Sequence, residues 1–344
     1  MPIKEDRKFA NSLRENDIVT GIYQVVDARI IKNYLDLKLG DKTGSLPMKV
    51  WDWRENDEEL GFLAIKGEKV RLNGVRIEVF DGRVLQFAAA RLSDIKRNRL
   101  VSPVLPDSYD ENDFVTSSDR SMDELLSDMN GLIKSVKNPR YRRLMEHFLT
   151  DAGGTGSHFS VWPAAVGQHH AYKGGLLEHS VNVAKLCDFL ASNYSHIDRD
   201  LIITGALLHD IGKLRSYESA LNGTKPEVSL DGIFLDHIAA GCSMIEEDVT
   251  HLEHDKGIFG TGDWDPMEKR LILHLILAHH GELEWGSPVR PVVMEAQLLH
   301  FADNTDAWAN RFERAIGYAS DADRGSMKKP DNLDRFIYIP LKKD

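Results

Sequence analysis

Residues 201–213 have the sequence Leu-Ile-Ile-Thr-Gly-Ala-Leu-Leu-His-Asp-Ile-Gly-Lys, in which an apolar run ends in His209, Asp210 and Lys213. The run has the length and composition of a helix that is buried in a protein core. A histidine and an aspartate at the end of such a helix cost free energy unless they are paired. Because imidazole nitrogen and carboxylate oxygen both bind divalent transition metals, the pair predicts either a buried His–Asp hydrogen bond or part of a metal site.

Apolar-periodic segments on both sides of this stretch predict an all-α region over residues 161–316. We expect helices over residues 176–194, 198–210, 236–249, 266–280 and 291–316. Each helix carries a residue of metal-ligand type in or beside its apolar face: His179, His209, Asp210, His237, His279, His280 and Asp303. One such residue is usually a hydrogen-bonded core group. Seven on five successive helices indicate a shared metal centre.

The ordered pattern His…His-Asp…His…His-His…Asp, with the His-Asp-Ile-Gly-Lys phrase at 209–213, resembles the HD-domain metal-dependent phosphohydrolases. The resemblance implies one metal ion held by His179, His209, Asp210 and Asp303. It implies a second ion, bridged by Asp210 and held by His237, His279 and His280. It also implies that Lys213 faces the scissile phosphate as a catalytic cation. The alternative is a lysine whose charge is favoured by the end of a helix.

The ligand set also suggests the chemistry of the centre. Two metal ions about 4 Å apart can activate a hydroxide and clamp phosphate oxygens, with Asp210 as the catalytic bridge. The hydroxide attacks phosphorus directly, so no serine or cysteine nucleophile is needed. Mixed nitrogen and oxygen ligands favour Mn, Fe, Co or Ni over Mg. The family resemblance implies Mn²⁺, as one or two ions.

A histidine-containing loop, residues 169–175, precedes His179 and has the sequence His-His-Ala-Tyr-Lys-Gly-Gly. Paired histidines on such a loop can donate hydrogen bonds to a substrate phosphate or ribose. We predict a catalytic role for His170 and substrate contacts for His169 and Tyr172. The alternative is a solvent-exposed loop without a role.

Residues 1–98 have the patterns of a small β domain. Alternating and β-branched segments predict strands over 18–31, 34–39, 45–53, 68–79 and 83–90, with a short helix over 55–65. Asp81-Gly82 is a strong hairpin turn. Five strands with a helix between the third and fourth have the order of an OB-fold β-barrel. We therefore expect a multidomain α+β protein, in which this five-stranded barrel precedes the all-α HD domain.

The turn-and-strand phrase over residues 37–52 resembles nucleic-acid-binding OB domains. Such barrels stack bases on exposed aromatic rings and hold phosphates with Lys and Arg. Tyr34, Trp51 and Lys49 are the predicted substrate contacts, with Trp53 and Phe80 as further aromatic candidates. The alternative for any one ring is a place in the barrel interior.

The remaining segments and the charge complete the domain prediction. Residues 99–160 are expected to be a linker with connector helices, one opened by a capping box at Ser121 and one by Pro139. Residues 317–344 are expected to be a C-terminal tail. The net charge of −11 divides into +2 over residues 1–98 and −13 over the rest, so any contact with nucleic acid must be local. With no transmembrane run and no signal core, we expect a cytoplasmic protein without a membrane partner.

From about residue 10 to 316 the chain resembles the YhaM-type 3′→5′ exoribonucleases. The resemblance rests on the barrel, on residues 169–179 and 209–213, and on His-His-Gly-Glu-Leu-Glu-Trp-Gly-Ser-Pro at 279–288. It implies metal-dependent trimming of single-stranded RNA, and often of single-stranded DNA, from the 3′ end. Three alternatives remain: a phosphohydrolase of free or cyclic nucleotides, a single-strand-binding regulator with a structural metal, and an HD-type di-iron oxygenase. Homo-oligomerisation is compatible with all of these.

Overall fold

The computed structural model describes residues 8–54, 57–81, 84–114, 118, 120–150, 155–166, 170–218, 226–254, 265–317, 319, 323–330 and 333–341. Over these ranges a sheet comes first, helices follow, and a short hairpin comes last. No helix in this part of the chain is both long and apolar enough to cross a membrane.

The N-terminal sheet has seven strands: β1 (Ile18–Ile31), β2 (Tyr34–Asp41), β3 (Gly44–Trp51), β4 (Lys69–Phe80), β5 (Val84–Phe87), β6 (Ala90–Arg91) and β7 (Val101–Pro103). Their order is β5-β4-β1-β2-β3-β6, and β7 pairs with β4. The first half of β1 pairs with β4 and its second half with β2, with register shifts after Val19 and Val25 that bend the strand. Alternate residues, such as Leu35, Leu37 and Leu39 of β2, are buried in the core of this region.

The five long predicted strands are all present, but two expectations need correction. The predicted helix over 55–65 is wrong, because its described part contains only a 3₁₀ turn, Gly61–Ala64. Asp57 Oδ1 accepts from the backbone N–H groups of Glu59 and Leu60, so the chain turns at Asp57, and Gly61 is a poor helix former in the middle of the predicted segment. The hydrogen-bonded order ends at β5 and β6, so the described sheet is open and barrel closure is not observed.

The sheet also continues beyond residue 98, into the predicted linker. A short helix, α1 (Leu92–Asn98), leads into β7. Two ion pairs then tie the following segment to the sheet: Lys69 Nζ lies 3.0 Å from Glu111 Oε2, and Lys42 Nζ lies 3.1 Å from Asp113 Oδ1. The described connector therefore packs on the sheet before the helical region begins.

The helical region contains α2 (Met122–Ser135), α3 (Pro139–Leu149), α4 (Thr155–Phe159), α5 (Gly175–Asn193), α6 (Arg199–Leu208), α7 (Lys213–Ser216), α8 (Leu230–Phe234), α9 (Asp236–His254), α10 (Pro266–Ala278) and α11 (Met294–Gly317). The five long helices expected after residue 161 are all present. Their starts follow the sequence signals: Ser121 caps α2, Asp198 caps α6, and Pro139 and Pro266 are first residues. α6 is buried along its whole apolar run and packs against α5, α10 and α11.

The predicted C-terminal tail, residues 317–344, contains a short β-hairpin. Strands β8 (Ser326–Lys328) and β9 (Ile337–Ile339) form an antiparallel hairpin. Leu333, Ile337 and Ile339 are buried against Ala315 of α11. The hairpin therefore covers the end of α11, the helix that carries Asp303.

We expect Leu37→Ala to lower the free energy of unfolding by about 2–5 kcal/mol, because the substitution leaves a cavity in the core of the sheet. Leu105 is 77% exposed, so Leu105→Ala is the matched control and should change stability by less than about 0.5 kcal/mol. Urea unfolding followed by fluorescence measures both. Equal destabilisation by the two variants would contradict the assigned core.

Candidate metal centre

The buried helix α6 delivers the first ligands of the centre. His209 is its C-terminal cap, and Asp210 follows in the turn that leads to α7. This turn approaches α9 closely: a Cβ atom on Gly212 would lie 1.9 Å from the carbonyl oxygen of His237. Only glycine fits there. Gly212 thus brings His237 within reach of Asp210.

One half of the centre is formed by α5, the end of α6 and α11. His179 Nε2 lies 3.2 Å from His209 Nε2 and 3.1 Å from Asp303 Oδ1. His179 and His209 are fully buried, and Asp303 is partly buried. One ligand atom from each of the three residues lies within 4.8 Å of the others, which is close enough for a shared metal ion.

The other half is formed by α9 and the end of α10. His237, His279 and His280 place ligand atoms within 4.8 Å of one another. Asp210 lies between the halves. Its Oδ2 lies 3.5 Å from His179 Nε2 and 3.3 Å from His209 Nε2. Its Oδ1 lies 3.5 Å from His237 Nε2 and 3.8 Å from His279 Nε2. A carboxylate in this position can bridge two cations.

Each of five histidines has its Nδ1 occupied by an acceptor outside the centre. His209 donates to the Ala206 carbonyl, His279 to that of Ile276 and His280 to that of Trp285, over 2.7–2.9 Å. His179 and His237 bond to the carboxylates of Asp306 and Asp236 through Nδ1, at 2.7 and 2.6 Å. A carbonyl or carboxylate partner places the ring proton on Nδ1, which leaves Nε2 as an electron-pair donor toward the centre.

The polar atoms that face the centre require a cation. Among the described residues, Asp210 Oδ1, His237 Nε2 and His279 Nε2 are buried without a hydrogen-bond partner. Carboxylate oxygens and unprotonated ring nitrogens are all acceptors, so they cannot satisfy one another. Divalent metal ions would satisfy all of them, and the mixed nitrogen and oxygen donor set fits transition metals. The residues present therefore fit the metal that the sequence predicts.

The ionisation of the ligands agrees with this assignment. Burial, followed by the charge on neighbouring histidines, lowers the pKa of His279 and His280, so both rings are neutral at pH 7 and able to bind metal. Burial also opposes a charge on His179, but the hydrogen bonds that its ring donates to Asp303 and Asp306 outweigh this effect and raise the pKa of His179 to about 10. The carboxylates around His179 thus favour a positive charge, which a metal ion supplies.

Lys213 is buried beside the centre, and its Nζ donates to Asp210 Oδ2. It also lines a cavity of about 710 Å³ that opens onto the ligands. The cavity wall is formed by Ala164, Ala165, Val166, Asp210, Lys213, Tyr217, Val228, His237, His279, His280, Trp285, His300, Asp303, Asn304, Ala307 and Arg311. A substrate phosphate in this cavity would meet Lys213 and the metal ligands together.

The loop histidines are placed differently from the sequence expectation. His169 lies outside the described residues. His170 is buried and not in the cavity wall; its Nε2 lies 2.8 Å from Asp306 Oδ2 and its Nδ1 lies 2.7 Å from the Tyr172 hydroxyl. That hydroxyl also donates to Glu178, at 2.6 Å. His170 and Tyr172 therefore bond to protein groups around His179 and are not among the residues of the cavity wall.

Sequence reasoning missed three groups that orient the ligands. Asp306 accepts from His170 and His179 through one oxygen, and from Asn182 through the other, at 3.0 Å. Asp236 holds His237 and adopts a left-handed φ of 60°. The third group is the carbonyl of Trp285. Asp306 had a signal in the sequence, since it follows Asp303 by three residues and so shares its helix face. The other two had none.

The predicted nucleic-acid contacts lie together on the N-terminal sheet. Tyr34 pairs with Trp51 across β2 and β3, with ring centroids 4.9 Å apart. Lys49 Nζ lies 5.7 Å from the Tyr34 centroid, 5.9 Å from that of Trp51 and 5.3 Å from that of Phe80. Trp51 is 39% exposed and Phe80 is 55% exposed. Trp53, in contrast, is buried in the core of the sheet region. We call Tyr34, Lys49, Trp51 and Phe80 the aromatic patch.

Comparison with known proteins places this architecture in a family. The HD domain family model matches residues 176–308, a range that contains all seven candidate ligands. The 3'-5' exoribonuclease YhaM of Shouchella clausii is 33% identical over 287 residues, covering 83% of this chain and 80% of that protein. This chain belongs to the YhaM-type 3′-5′ exoribonuclease family. YhaM of Halalkalibacterium halodurans is 30% identical, with the same two coverages. YhaM of Bacillus subtilis is 29% identical, over 83% of this chain and 82% of that protein.

We expect Asp306→Asn to weaken Mn²⁺ binding about 10- to 100-fold, because an amide cannot hold His170 and His179 as the carboxylate does. Glu313→Gln makes the same charge change at an exposed position of α11 and should leave the affinity unchanged. Competition with a metal-sensitive dye measures both. Wild-type affinity in Asp306→Asn would contradict its role in orienting His179.

Proposed function

We propose that this chain is a metal-dependent 3′-5′ exoribonuclease whose active site is the centre around Asp210. The observation that carries the proposal is the position of the Asp210 carboxylate, with one oxygen toward His179 and His209 and the other toward His237 and His279. Membership of the YhaM-type family and the match to the HD domain support the same activity.

We assign His179, His209, Asp210 and Asp303 to one divalent ion, and Asp210, His237, His279 and His280 to a second. When bound, the ions would polarise the scissile phosphate and lower the proton affinity of the attacking water. The protein groups position the reactants. Lys213 supplies a buried positive charge at the cavity wall, suited to a phosphate oxygen. His170 acts through Asp306 as a positioning residue for His179.

The working metal is proposed to be Mn²⁺. Five imidazoles and two carboxylates form a donor set in which nitrogen predominates, and this set disfavours Mg²⁺, which prefers oxygen. Fe, Co and Ni ions accept similar ligands and are the competing assignments. Metal analysis of protein purified without chelator distinguishes among them.

The N-terminal region is proposed to be an OB-type module that holds single-stranded RNA, and also single-stranded DNA, on the aromatic patch. The strand succession and the exposed rings around Lys49 support this assignment. Bases of any identity stack on aromatic rings, and a lysine among the rings attracts the phosphate backbone of the nucleic acid.

The proposed domains span residues 1–98, 99–160, 161–316 and 317–344, and β7 belongs with the first of them. We propose a cytoplasmic site of action.

We expect Asp210→Ala to abolish hydrolysis of a 5′-labelled RNA oligonucleotide in Mn²⁺, because both halves of the centre lose their shared ligand. Asp107→Ala, an exposed aspartate of the connector, is the matched control and should retain full activity. The product pattern is read on a denaturing gel, where wild type should shorten the RNA from its 3′ end. Hydrolysis of the RNA by Asp210→Ala would contradict the assignment of the active site. Cleavage of free or cyclic nucleotides alone would favour a nucleotide phosphohydrolase instead.

Trp51→Ala is expected to weaken binding of a long single-stranded RNA by about 1–3 kcal/mol, the usual contribution of one base–aromatic stack. Hydrolysis of a dinucleotide should be unaffected, because the patch is remote in sequence from the metal ligands and serves only longer substrates. Tyr194→Ala removes an aromatic residue that is 49% exposed on the helical region and serves as control. Fluorescence anisotropy gives the affinities. Unchanged binding in Trp51→Ala would remove the aromatic patch from substrate capture.

A further inference from the structure

Trp285 is an exposed aromatic residue in the wall of the catalytic cavity. It belongs to the 3₁₀ turn Leu283–Trp285, five residues after His280 in the sequence. The residue is 58% exposed, yet it lines the same cavity as Asp210, His279 and His280. An exposed aromatic ring in the wall of a cavity that also holds charged groups is a typical feature of a ligand subsite.

The backbone fixes Trp285 relative to the metal ligands. Its carbonyl oxygen accepts from His280 Nδ1 at 2.9 Å, and its N–H donates to the Glu282 carbonyl at 3.0 Å. Gly286 ends the turn with a φ of 86°, a conformation that favours glycine. The indole also contacts His300, with centroids 5.6 Å apart and planes inclined by 35°. The backbone of this turn is therefore fixed relative to His280, and the indole rests against His300.

We propose that Trp285 stacks on the base of the 3′-terminal nucleotide while the metal ligands hold the adjoining phosphodiester. The proposal rests on the proposed exonuclease function and names the subsite for the departing nucleotide. A base attached to the scissile nucleotide must lie close to the metals, and Trp285 is the aromatic side chain of the cavity wall that also bonds to a ligand through its backbone. Stacking tolerates every base, so hydrolysis should proceed through all four nucleotides.

The experiment compares two RNA oligonucleotides that differ only in the terminal residue, one normal and one abasic. Wild type should hydrolyse the abasic end about 5- to 150-fold less efficiently, measured as kcat/KM of the first cleavage. Trp285→Ala should lose a similar factor on the normal end and should no longer distinguish the two substrates. Trp285→Phe, which keeps an aromatic face, should recover most of the discrimination.

Two controls separate stacking from damage to the metal centre. The side-chain substitutions keep the carbonyl that holds His280, so the Mn²⁺ content should match wild type. Phe189→Ala removes an aromatic residue that is 66% exposed and outside the cavity wall, and both rates should stay at wild-type values. If Trp285→Ala does not fold, Trp285→Leu makes the same comparison.

The outcomes are distinct for the two proposals. If Trp285→Ala shortens RNA but discriminates against the abasic end as strongly as wild type, the stacking subsite is refuted and the exonuclease function stands. Loss of the discrimination together with normal metal content supports the subsite. If wild type produces no 3′ shortening of either RNA, the exonuclease proposal fails, and the subsite fails with it.

Discussion

A carboxylate surrounded by electron-pair donors is the constraint on which the helical region depends. Asp210 is 1% exposed, and imidazole nitrogens face both of its oxygens. Desolvation of such a group is expensive, and His237 and His279, whose ring protons lie on Nδ1, cannot donate to it through Nε2. Lys213 offsets part of the negative charge, but it reaches only one oxygen. The arrangement is therefore most stable with cations between the two halves, which couples folding of this region to metal binding.

The hydrogen-bond partners of the ligand histidines decide which ring nitrogen faces the metal centre. Two of these partners are carbonyl groups at helix ends. The C-terminal carbonyls of α6 and α10 have no partner within the helix, so they can accept from His209 and His279. Charged acceptors hold His179 and His237 on the opposite sides. Each ring is thus fixed in the tautomer that metal binding requires. The centre is arranged by hydrogen bonds that the apolar core protects from water.

The chain divides its proposed tasks between two surfaces of different chemistry. The helical region is strongly acidic overall, so long-range attraction of RNA must be weak there. The aromatic patch on the sheet offers stacking, which depends little on net charge. At the cavity, Lys213 and Trp285 supply short-range contacts to phosphate and base. Affinity for single strands would then come from stacking and metal contacts more than from a basic groove.

Local patterns in the sequence determined the long helices, their caps, the long strands and the choice of the seven candidate ligands, because periodicity and capping act between near neighbours. The predicted helix over 55–65 is replaced by a 3₁₀ turn that begins at Gly61, and a glycine within a helix is unfavourable. Packing alone decided that His170 and His179 bond to the same carboxylate oxygen, because Asp306 lies more than a hundred positions further along the chain. Packing also decided whether the edge strands of the N-terminal sheet pair with each other to close a barrel. Such pairing depends on long-range contacts that no local sequence pattern records.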